Sequence, residues 1–515
     1  MADTPKRGDL AHRWTDQQLA ELEERIAKLY RETAEDLEKT INEYFAKFIE
    51  RDKEMRELIG TEINGREWTE EDYKQWRLNQ IGRGQRYEAL QEKIAQRYTS
   101  ANEVATAYIN DATPGVYSLN RNFAAYQIES VAGNVGFDLF DEQTVKRLAI
   151  EQPDLMPYYP PKRALERGID LAWGKKQITK VTTSAILQGK SIPGIANALM
   201  TAIPGMELTS AVRAARTAMT GAQNAGRMDS YAAAQRMGIK LQKRWLATLD
   251  NRTRHEHRKL DGQVRDNEKP FEVDGEEIRF PGDPEAAGYL VYNCRCTLIA
   301  VVDGIDTSDA KRRAKDPASG KDEIVGNMTY EQWAAAKSAV NPSAWATFEK
   351  KGKNLSADRK QFAQYQEVLK SKAPKTLAEF QKLKYNEPEE WDQLKDRYRY
   401  KNRVPEATEN DYQTYTRIKA TGILGSVRVP PHPIDYEALE FRDSHAENHG
   451  ATLDEAKTYI KNAKFSLSRK RWDGVSFNYY SEDGAAYVDI TKKFIKTAYS
   501  KKDFDPQTKK AMEAI

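Results

Sequence analysis

"LDNRTRHEHRKLDG", from Leu249 to Gly262, is followed about thirty residues later by "NCRC", from Asn293 to Cys296. The second segment holds the only two cysteines of the chain, and the first holds two of its six histidines. A chain that is poor in both residue types has therefore gathered them in one short region. This clustering predicts a shared site, and the assignment of the fold depends on it.

The spacing of these residues leaves three interpretations open. His255 and His257 are two positions apart, as are Cys294 and Cys296, so on extended backbone each pair would direct its side chains to one point. Zinc prefers cysteine and histidine donors in tetrahedral geometry, which gives a candidate site of His257, Cys294 and Cys296 with Asp250 or His255. The alternatives are a nucleophilic cysteine partnered by His257 and a hydrogen-bonded crossover that holds no metal.

Length and composition restrict the class of protein. A chain of 515 residues predicts two to four domains, and 39% apolar with 31% charged residues predicts helices with wide solvated faces. The net charge of +3 argues against a basic coat for nucleic acid. No apolar run approaches the roughly twenty residues that span a bilayer, and the N-terminus lacks the apolar core of a signal peptide. Two cysteines one residue apart cannot form a disulfide framework, so we expect synthesis and storage in a reducing cytoplasm.

Proline- and glycine-rich breakers divide the chain into four predicted domains, because these residues interrupt helices. The predicted fold class is multidomain: mainly α in the N-terminal and central regions, with a small β-ribbon, and α+β with an antiparallel sheet at the C-terminus. The predicted domains are a helical arm or bundle at 1–160, a central domain at 161–303, a helical connector at 304–403 and an α+β domain at 404–515.

The predicted N-terminal domain begins with a long amphipathic helix. Thr15 and Gln18 have the spacing of a capping box, in which each side chain satisfies a free backbone N–H at a helix start. Apolar residues then recur in steps of three and four from Leu19 to Phe48, as on a helix packed along another helix. This stripe fits a bundle within one chain or a seam between chains. Thr69 has the features of a second helix start.

The predicted central domain combines an alanine-rich helix with strands. Arg213, Arg216 and Arg227 recur on this helix at near-helical spacing, either as a solvated face or as cations that bind carboxylates or phosphate in an assembly contact. "KRWLATLD" and "YLVYNCRCTLIAVV" are strand-like runs, and the turn-rich stretch between them is typical of a β-ribbon. The following "AKDPASGKD" is predicted to be a flexible linker.

The central segment resembles the phage head-morphogenesis family, the Mu F-like minor head proteins. The resemblance covers roughly residues 160 to 303 and includes the alanine-rich helix. The matching positions are Asp250, Arg252, Thr253, Arg254, His257, Leu260, Asp261, Gly262, Pro281, Gly282, Asp283, Pro284, Asn293, Cys294, Arg295 and Cys296. His255 does not belong to this pattern, which makes it the weaker candidate ligand.

The resemblance implies a structural component of the virion, made in the cytoplasm of the bacterial host. Such proteins associate with the portal and other head proteins, enter the procapsid in few copies, and serve head assembly or DNA ejection. The long amphipathic helices offer packing surface, and the N-terminal helices are candidates for oligomeric contacts. The sequence has no Walker motif, which disfavours a packaging motor.

Residues 404–515 resemble the toxin-like nuclease modules appended to phage minor head proteins. That group has a barnase/colicin/EndoU-like fold, in which one or two helices precede a curved antiparallel sheet. The features that match include the helix "TLDEAKTYIKNA" and the strand-like runs "NYYS", "GAAYVDI" and "IKTAYS". The stretch from Lys461 to Ile515 has 12 basic and 7 acidic residues, and this net charge of +5 suits a polyanion such as RNA or phage DNA.

A ribonuclease that needs no metal requires a base, an acid and groups that stabilise charge on the phosphate. The candidate catalytic residues are His445, His449, Arg471, Ser466, Tyr480 and Thr497. The histidines would transfer protons, because imidazole titrates near neutral pH, while the arginine and the hydroxyl groups would hold and orient the phosphate.

Other interpretations of the C-terminal domain stay open at the level of sequence. His445 and His449 are four positions apart and would share one helix face as a surface pair or as half of a metal site. If these histidines are not catalytic, the C-terminal domain is an inactive interaction module or an enzyme of another class, such as an ADP-ribosyltransferase. The leading hypothesis is a virion structural protein with a toxin-like domain. Its alternative is a nuclease effector delivered by the virion, with the head domain as its handle.

Overall fold

The computed structural model describes residues 9–63, 66–133, 135–151, 171–304, 310–442, 451–471 and 474–515. The chain divides into two units, Met1–Phe348 and Glu349–Ile515. The N-terminal and central regions are mainly helical, and the C-terminal region carries a largely antiparallel sheet, which confirms the predicted fold class. The boundary predicted near Pro160 lies outside the described residues.

Helices of four to 48 residues make up most of the described part of the first unit. They are α1 (Leu10–Ala46), α2 (Ile49–Glu57), α3 (Glu70–Ile81), α4 (Gln85–Ala132), α5 (Glu142–Glu151), α6 (Leu171–Leu187), α7 (Ile192–Arg236), α8 (His255–Leu260), α9 (Gly288–Val291), α10 (Tyr330–Val340) and α11 (Pro342–Lys353), the last of which runs on into the second unit. The helix start predicted at Thr69 is confirmed, because Thr69 and Asp72 form a capping box ahead of α3. The start predicted at Thr15 is wrong: α1 begins at Leu10 with Asp9 as its cap.

The apolar stripe of α1 is buried inside the first unit. Leu22, Ile26, Leu37 and Phe45 join one hydrophobic core with residues of α4 and α7. The stripe therefore packs against helices of its own chain, which favours the bundle interpretation over the seam between chains. Thr15 also belongs to this interior, where its hydroxyl donates to the carbonyl oxygen of Ala11 at 2.9 Å.

Helices α4 and α7 approach each other closely because α7 is rich in small residues. A Cβ atom added at Gly226 would lie 2.4 Å from the carbonyl oxygen of Tyr117, so this position has room only for glycine. The neighbouring Arg227 is fully buried and donates to the Leu298 carbonyl at 2.8 Å and to the Asp9 carboxylate at 2.6 Å. Arg227 is thus an internal cation that binds a carboxylate, rather than part of a solvated face.

A small sheet completes the central part of the first unit. Strands β3 (Leu241–Leu246), β4 (Val264–Asp266) and β7 (Thr297–Val302) pair in the order β4-β3-β7. The other strands of this unit form three hairpins: β1 (Glu62–Ile63) with β2 (Arg66–Glu67), β5 (Phe271–Val273) with β6 (Glu276–Ile278), and β8 (Lys311–Lys315) with β9 (Asp322–Gly326). The ribbon is confirmed, and each strand-like run contains a strand, β3 in the first and β7 in the second; the start of the second run instead forms the short helix α9 and a turn.

The stretch expected to be polar and helical after Asp303 instead begins with a hairpin. Ala314 is buried beside Leu249, and the "AKDPASGKD" segment supplies the end of β8, the turn and the start of β9. Alternate side chains of β8 point inward, where Arg312 is buried against the central domain. The composition of this segment predicts a flexible linker, but the burial of Arg312 and Ala314 against the rest of the unit holds it in a hairpin.

The described part of the second unit contains six further α-helices and the large sheet. The helices are α12 (Leu355–Leu369), α13 (Leu377–Asn386), α14 (Pro388–Arg403), α15 (Glu409–Ala420), α16 (Leu453–Lys461) and α17 (Pro506–Glu513). The strands are β10 (Ser426–Arg428), β11 (Glu440–Phe441), β12 (Phe465–Arg471), β13 (Gly474–Tyr480), β14 (Gly484–Asp489) and β15 (Phe494–Ser500), in the order β10-β12-β13-β14-β15-β11. All pairs are antiparallel except β11 with β15.

The two faces of this sheet have separate cores. Tyr479 and Phe477 pack beneath α16 with Tyr459, whereas Leu467 and Tyr480 belong to the core that contains Ile418, Phe504 and Ala511. Successive residues of a strand point to opposite faces, so the alternation of β13 supplies both cores. The helix predicted from "TLDEAKTYIKNA" and the strands that follow it are confirmed.

A buried carboxyl group makes the stability of the helical bundle depend on pH. Glu207 on α7 is 6% exposed, and its carboxylate accepts a hydrogen bond from Asn102 Nδ2 at 3.1 Å. Burial raises the pKa of Glu207 above its usual value of 4.5, although the Asn102 hydrogen bond opposes this shift. The folded state therefore favours the protonated acid.

We predict that Glu207→Gln removes this pH dependence. Because the folded pKa is raised, the stability that Glu207 contributes is present below its unfolded pKa and is lost as the pH rises through its folded pKa. The wild type should lose stability relative to Glu207→Gln between pH 4 and pH 8, as measured by urea unfolding. Glu24→Gln, at an exposed position of α1, is the control. Parallel pH profiles for wild type and Glu207→Gln would contradict the prediction.

Candidate functional site

The pairing of β3 with β7 brings the histidine and cysteine segments together. Leu246, the last residue of β3, pairs with Thr297, the first residue of β7. Because the strands are antiparallel, the chain that leaves β3 and the chain that enters β7 lie at the same end of the sheet. Residues 247–262 and 288–296 are therefore neighbours, although they are far apart in sequence.

The first segment does not have the extended backbone that its His-x-His spacing was taken to indicate. His255 and His257 lie on the short helix α8. Residues two apart on a helix point in very different directions, so His257 is buried while His255 is exposed. The prediction that the two histidines share one direction is wrong, and His257 alone faces the cysteines.

His257, Cys294 and Cys296 form a buried cluster. Each is 3% exposed, and their ligand atoms all lie within 4.8 Å of one another. The His257 Nδ1 atom is 3.7 Å from Cys294 Sγ and 3.2 Å from Cys296 Sγ. Its other ring nitrogen, Nε2, lies 2.7 Å from the carbonyl oxygen of Leu290. A carbonyl can only accept, so Nε2 carries the proton and the lone pair of Nδ1 faces the sulfur atoms.

The two cysteines are held in a tight turn. Asn293 has a φ of +55°, a left-handed conformation that asparagine tolerates better than most residues. The backbone N–H of Cys296 donates to Cys294 Sγ at 3.4 Å. Thr220 on α7 donates its hydroxyl to the Cys294 carbonyl at 2.9 Å, which fixes the turn to the long helix.

The charges around the turn give the two thiols different acidities. Burial raises the pKa of Cys294, but hydrogen bonds from Cys296 and the charges of Arg254 and Arg295 lower this pKa by a larger amount. The pKa of Cys294 therefore lies below its usual value. Burial and the neighbouring Cys294 raise the pKa of Cys296 well above its usual value. The pair therefore favours one thiolate and one thiol.

Asp250 lies outside the three-residue cluster. Its carboxylate binds the guanidinium of Arg295 at 2.6 and 2.9 Å and accepts the backbone N–H groups of Arg252 and Thr253. Burial raises its pKa, but the bonds and the charge of Arg295 prevail and lower it. Asp250 thus ties the loop after β3 to the cysteine turn as a partner of arginine.

Asp261 is a second buried carboxylate that joins three parts of the first unit. It accepts from the backbone N–H groups of Ala247 and Tyr330, each at 2.6 Å, and from Arg312 at 2.8 and 3.0 Å. Its side chain is fully buried. Through Asp261, the end of α8 is bound to the loop after β3, to β8 and to the start of α10.

The "PGDP" segment lies against α7. Gly282 has a φ of +84°, and an added Cβ would lie 2.5 Å from the backbone nitrogen of Gly221. Asp283 accepts from the Arg279 guanidinium at 2.6 and 3.0 Å. The glycine permits a close approach to the helix, and the aspartate fixes the preceding loop.

The central segment is similar to known phage proteins. The model of the family "Phage Mu protein F like protein" matches residues 176–299. The chain is 27% identical to the minor head protein GP7 of Bacillus phage SPP1 over 342 residues, which cover 65% of this chain and 99% of that protein. These matches support the head-morphogenesis family. The matched family segment contains His257, both cysteines, Asp250 and Asp261.

A second relative is an enzyme. The chain is 32% identical over 168 residues to the NAD(+)–arginine ADP-ribosyltransferase EFV of Enterococcus faecalis strain V583, and the aligned part covers 33% of each protein. The chain thus spans about a third of that relative's length. No solved structure matches the chain. Within the described ranges, no helix is long and apolar enough to cross a bilayer.

The sheet of the second unit separates the candidate catalytic residues. Ser466 pairs directly with Tyr479, so it lies on the face opposite to Tyr480. Thr497 pairs with Tyr487, which pairs with Asn478, and this row is on the face of Tyr480. Arg471 is the last residue of β12. His445 and His449 lie outside the described residues.

Two groups of polar residues in this sheet were missed by the sequence analysis. On one face, Ser466 accepts the backbone N–H of His432 at 3.0 Å, and the His432 ring centroid lies 4.1 Å from that of Phe477. Burial, together with the charge of Arg428, lowers the pKa of His432. His432 lies in the proline-rich "RVPPHP" stretch, whose composition is typical of a rigid turn and carries no signal for a contact with Ser466.

The other face carries the second group, on the strands that flank Tyr487. Asn478 Nδ2 and Thr497 Oγ1 are buried and have no hydrogen-bond partner within the described part of the chain. Lys496 Nζ lies 2.9 Å from Ser476 Oγ and 3.0 Å from the Asp489 carboxylate. The face of Tyr480 therefore carries the ion pair of Lys496 with Asp489 and two unsatisfied polar groups.

We predict that Asp261→Asn strongly destabilises the first unit. The amide cannot balance the charge of Arg312, which would remain buried without a counter-ion, at a cost of about 3–5 kcal/mol in the free energy of unfolding. Urea unfolding followed by circular dichroism measures the change. The control is Asp266→Asn, whose side chain is 46% exposed and which should cost less than about 1 kcal/mol. Equal effects of the two substitutions would contradict the role of Asp261.

Proposed function

We propose that this chain is a structural protein of a phage head that associates with the portal and with other head components. The observation that carries the proposal is the alignment with minor head protein GP7 of phage SPP1, which extends over 99% of that protein rather than over one motif. The match of residues 176–299 to the Mu F-like family points in the same direction. The proposed place of the protein is the virion, after synthesis in the host cytoplasm.

The surface of α1 suggests how such a contact would be made. The apolar stripe of α1 packs in its own unit, so a partner would bind the opposite, solvated face. That face carries charges of both signs, among them the exposed carboxylates of Glu24, Glu35 and Glu38. We propose that these three carboxylates form an acidic contact with a basic surface of a head protein, since complementary charges select partners and speed association.

We expect mass spectrometry to find the full-length chain in purified particles from the phage genome that encodes it, in few copies per particle. The Asp261→Asn variant should enter particles less well, because it unfolds the unit that matches the family, while Asp266→Asn should enter normally. A triple change of Glu24, Glu35 and Glu38 to Lys should reduce incorporation without loss of stability. Particles without the chain would refute the proposal, and normal incorporation of the triple variant would refute the acidic contact.

A second candidate function is a toxin-like ribonuclease in residues 404–515, delivered by the virion with the head domain as its handle. The observation that favours it is the polar group on the Tyr480 face: Lys496 supplies a cation, and Asn478 and Thr497 supply unsatisfied polar atoms. A phosphate ligand would satisfy the two unpartnered atoms, while Lys496, which is paired with Asp489, would add a second charged contact. The net charge of +5 from Lys461 onward also favours a nucleic-acid ligand.

We expect the full-length protein to cleave RNA in the presence of EDTA. His445→Ala and His449→Ala should each reduce the rate by about 100-fold or more if these imidazoles transfer protons. Thr497→Val, which keeps the shape of the side chain, should also slow cleavage, while Thr508→Val in α17 serves as the matched control. Hydrolysis of NAD+ by the same samples would favour the ADP-ribosyltransferase alternative. Absence of RNA cleavage, or rates unchanged by both histidine substitutions, would refute the ribonuclease assignment.

A further inference from the structure

The cluster of His257, Cys294 and Cys296 has the chemistry of a zinc site. We propose that these three side chains bind one zinc ion, which closes the loop of the first unit between α8 and β7. Thiolate and imidazole donors together favour zinc over magnesium and calcium, which prefer oxygen ligands. The proposal concerns the construction of the central segment and does not depend on the contacts that the head protein makes.

The distances between the donor atoms agree with a shared ion. Zinc lies about 2.3 Å from sulfur and about 2.0 Å from nitrogen, so a tetrahedral angle separates each sulfur from the nitrogen by about 3.5 Å. The His257 Nδ1 atom is 3.2 Å from one sulfur and 3.7 Å from the other, on either side of that value. The donors would need to shift by only a few tenths of an ångström.

Neighbouring groups already orient the donors. The Leu290 carbonyl accepts from Nε2 of His257 and leaves Nδ1 free to bind, as the outer partners of metal-bound histidines usually do. The indole of Trp245 packs edge-on against the imidazole, with the ring centroids 5.7 Å apart. The N–H of Cys296 donates to the sulfur of Cys294, and such bonds stabilise a thiolate.

Among the described residues, the cluster contains only three acidic, histidine or cysteine side chains. The fourth position of the ion would therefore be taken by another kind of ligand. Asp250 cannot easily fill this position, because both of its oxygen atoms bind Arg295. A water molecule completes such three-ligand zinc sites. The proposed coordination is therefore two sulfurs, one nitrogen and water.

A bound ion would connect parts of the chain that are distant in sequence. His257 and Cys294 are 37 positions apart, and the turn that carries Cys294 is also fixed to α7 through Thr220. Zinc would thus clamp α8 to the strand β7 and to the long helix. Because the unfolded chain cannot offer these donors together, metal binding would stabilise the fold.

The test uses the full-length protein, purified without chelators and analysed for metals by mass spectrometry. We expect about one zinc per chain after dialysis, and reloading of the metal-free protein with cobalt should give the absorption of a thiolate–cobalt bond. Removal of zinc should lower the Tm by about 5 °C. Cys294→Ser and Cys296→Ser should lose the metal, while His255→Ala, an exposed position on the same helix, should retain it.

Two results would overturn the proposal. One is a folded, metal-free wild-type protein that does not compete with a chromophoric chelator for added zinc at micromolar concentration. The other is binding that persists in both cysteine variants, which would place the ion elsewhere. The competition measurement needs only the wild type, so it gives an answer even if the variants do not fold. Copper or iron in the purified protein, with zinc excluded by competition, would also overturn the assignment.

Discussion

The antiparallel pairing of β3 with β7 determines how the central part of the first unit is built. The residues that join these two strands must leave and return at the same end of the sheet, so side chains from both ends of the connection meet there. One half-buried salt bridge, one buried salt bridge and the histidine–cysteine cluster are located at this end. Asp250 with Arg295 binds the two ends of the connection to each other, and Asp261 with Arg312 binds its first half to the hairpin that follows.

The helical bundle and this sheet are connected by a buried arginine. Arg227 on α7 binds the cap of α1, an amide of α4 and a carbonyl of β7, so four elements share one guanidinium. A fully buried cation is stable only with such a complete set of partners. The N-terminal helices and the sheet of the central segment therefore lie in one unit, Met1–Phe348.

The sequence was sufficient to predict the fold class and most of the elements, because hydrophobic periodicity and caps are local signals. The stripe of α1, the cap at Thr69 and the strands around the ribbon follow directly from such patterns. Two-residue spacing is less informative, since it means one direction on a strand and nearly opposite directions on a helix. For this reason the sequence predicts that His257 lies near the cysteines, but it does not predict that His255 and His257 point in different directions. The main partner of Asp250 is Arg295, which lies 45 positions away in the sequence, so residue spacing alone could not predict this ion pair.

In the second unit, too, residue spacing alone does not predict which side chains meet. Ser466, Tyr480 and Thr497 are each on a strand as expected, but the face that a strand residue occupies depends on the register of the whole sheet. Register therefore decides that Thr497 shares a face with Asn478 and that Ser466 meets His432. A register irregularity between β14 and β15 leaves Lys496 unpaired, so that its amino group reaches Ser476 on the Thr497 face.

The hairpin of β8 and β9 shows that the folded unit is longer than the segment matched by the family. The family match ends at Ile299, whereas Arg312 and Tyr330 complete the environment of Asp261 further along the chain. A fragment cut soon after Ile299 would leave this carboxylate buried with two of its donors missing. Insertions that displace this hairpin would have the same effect on the buried carboxylate.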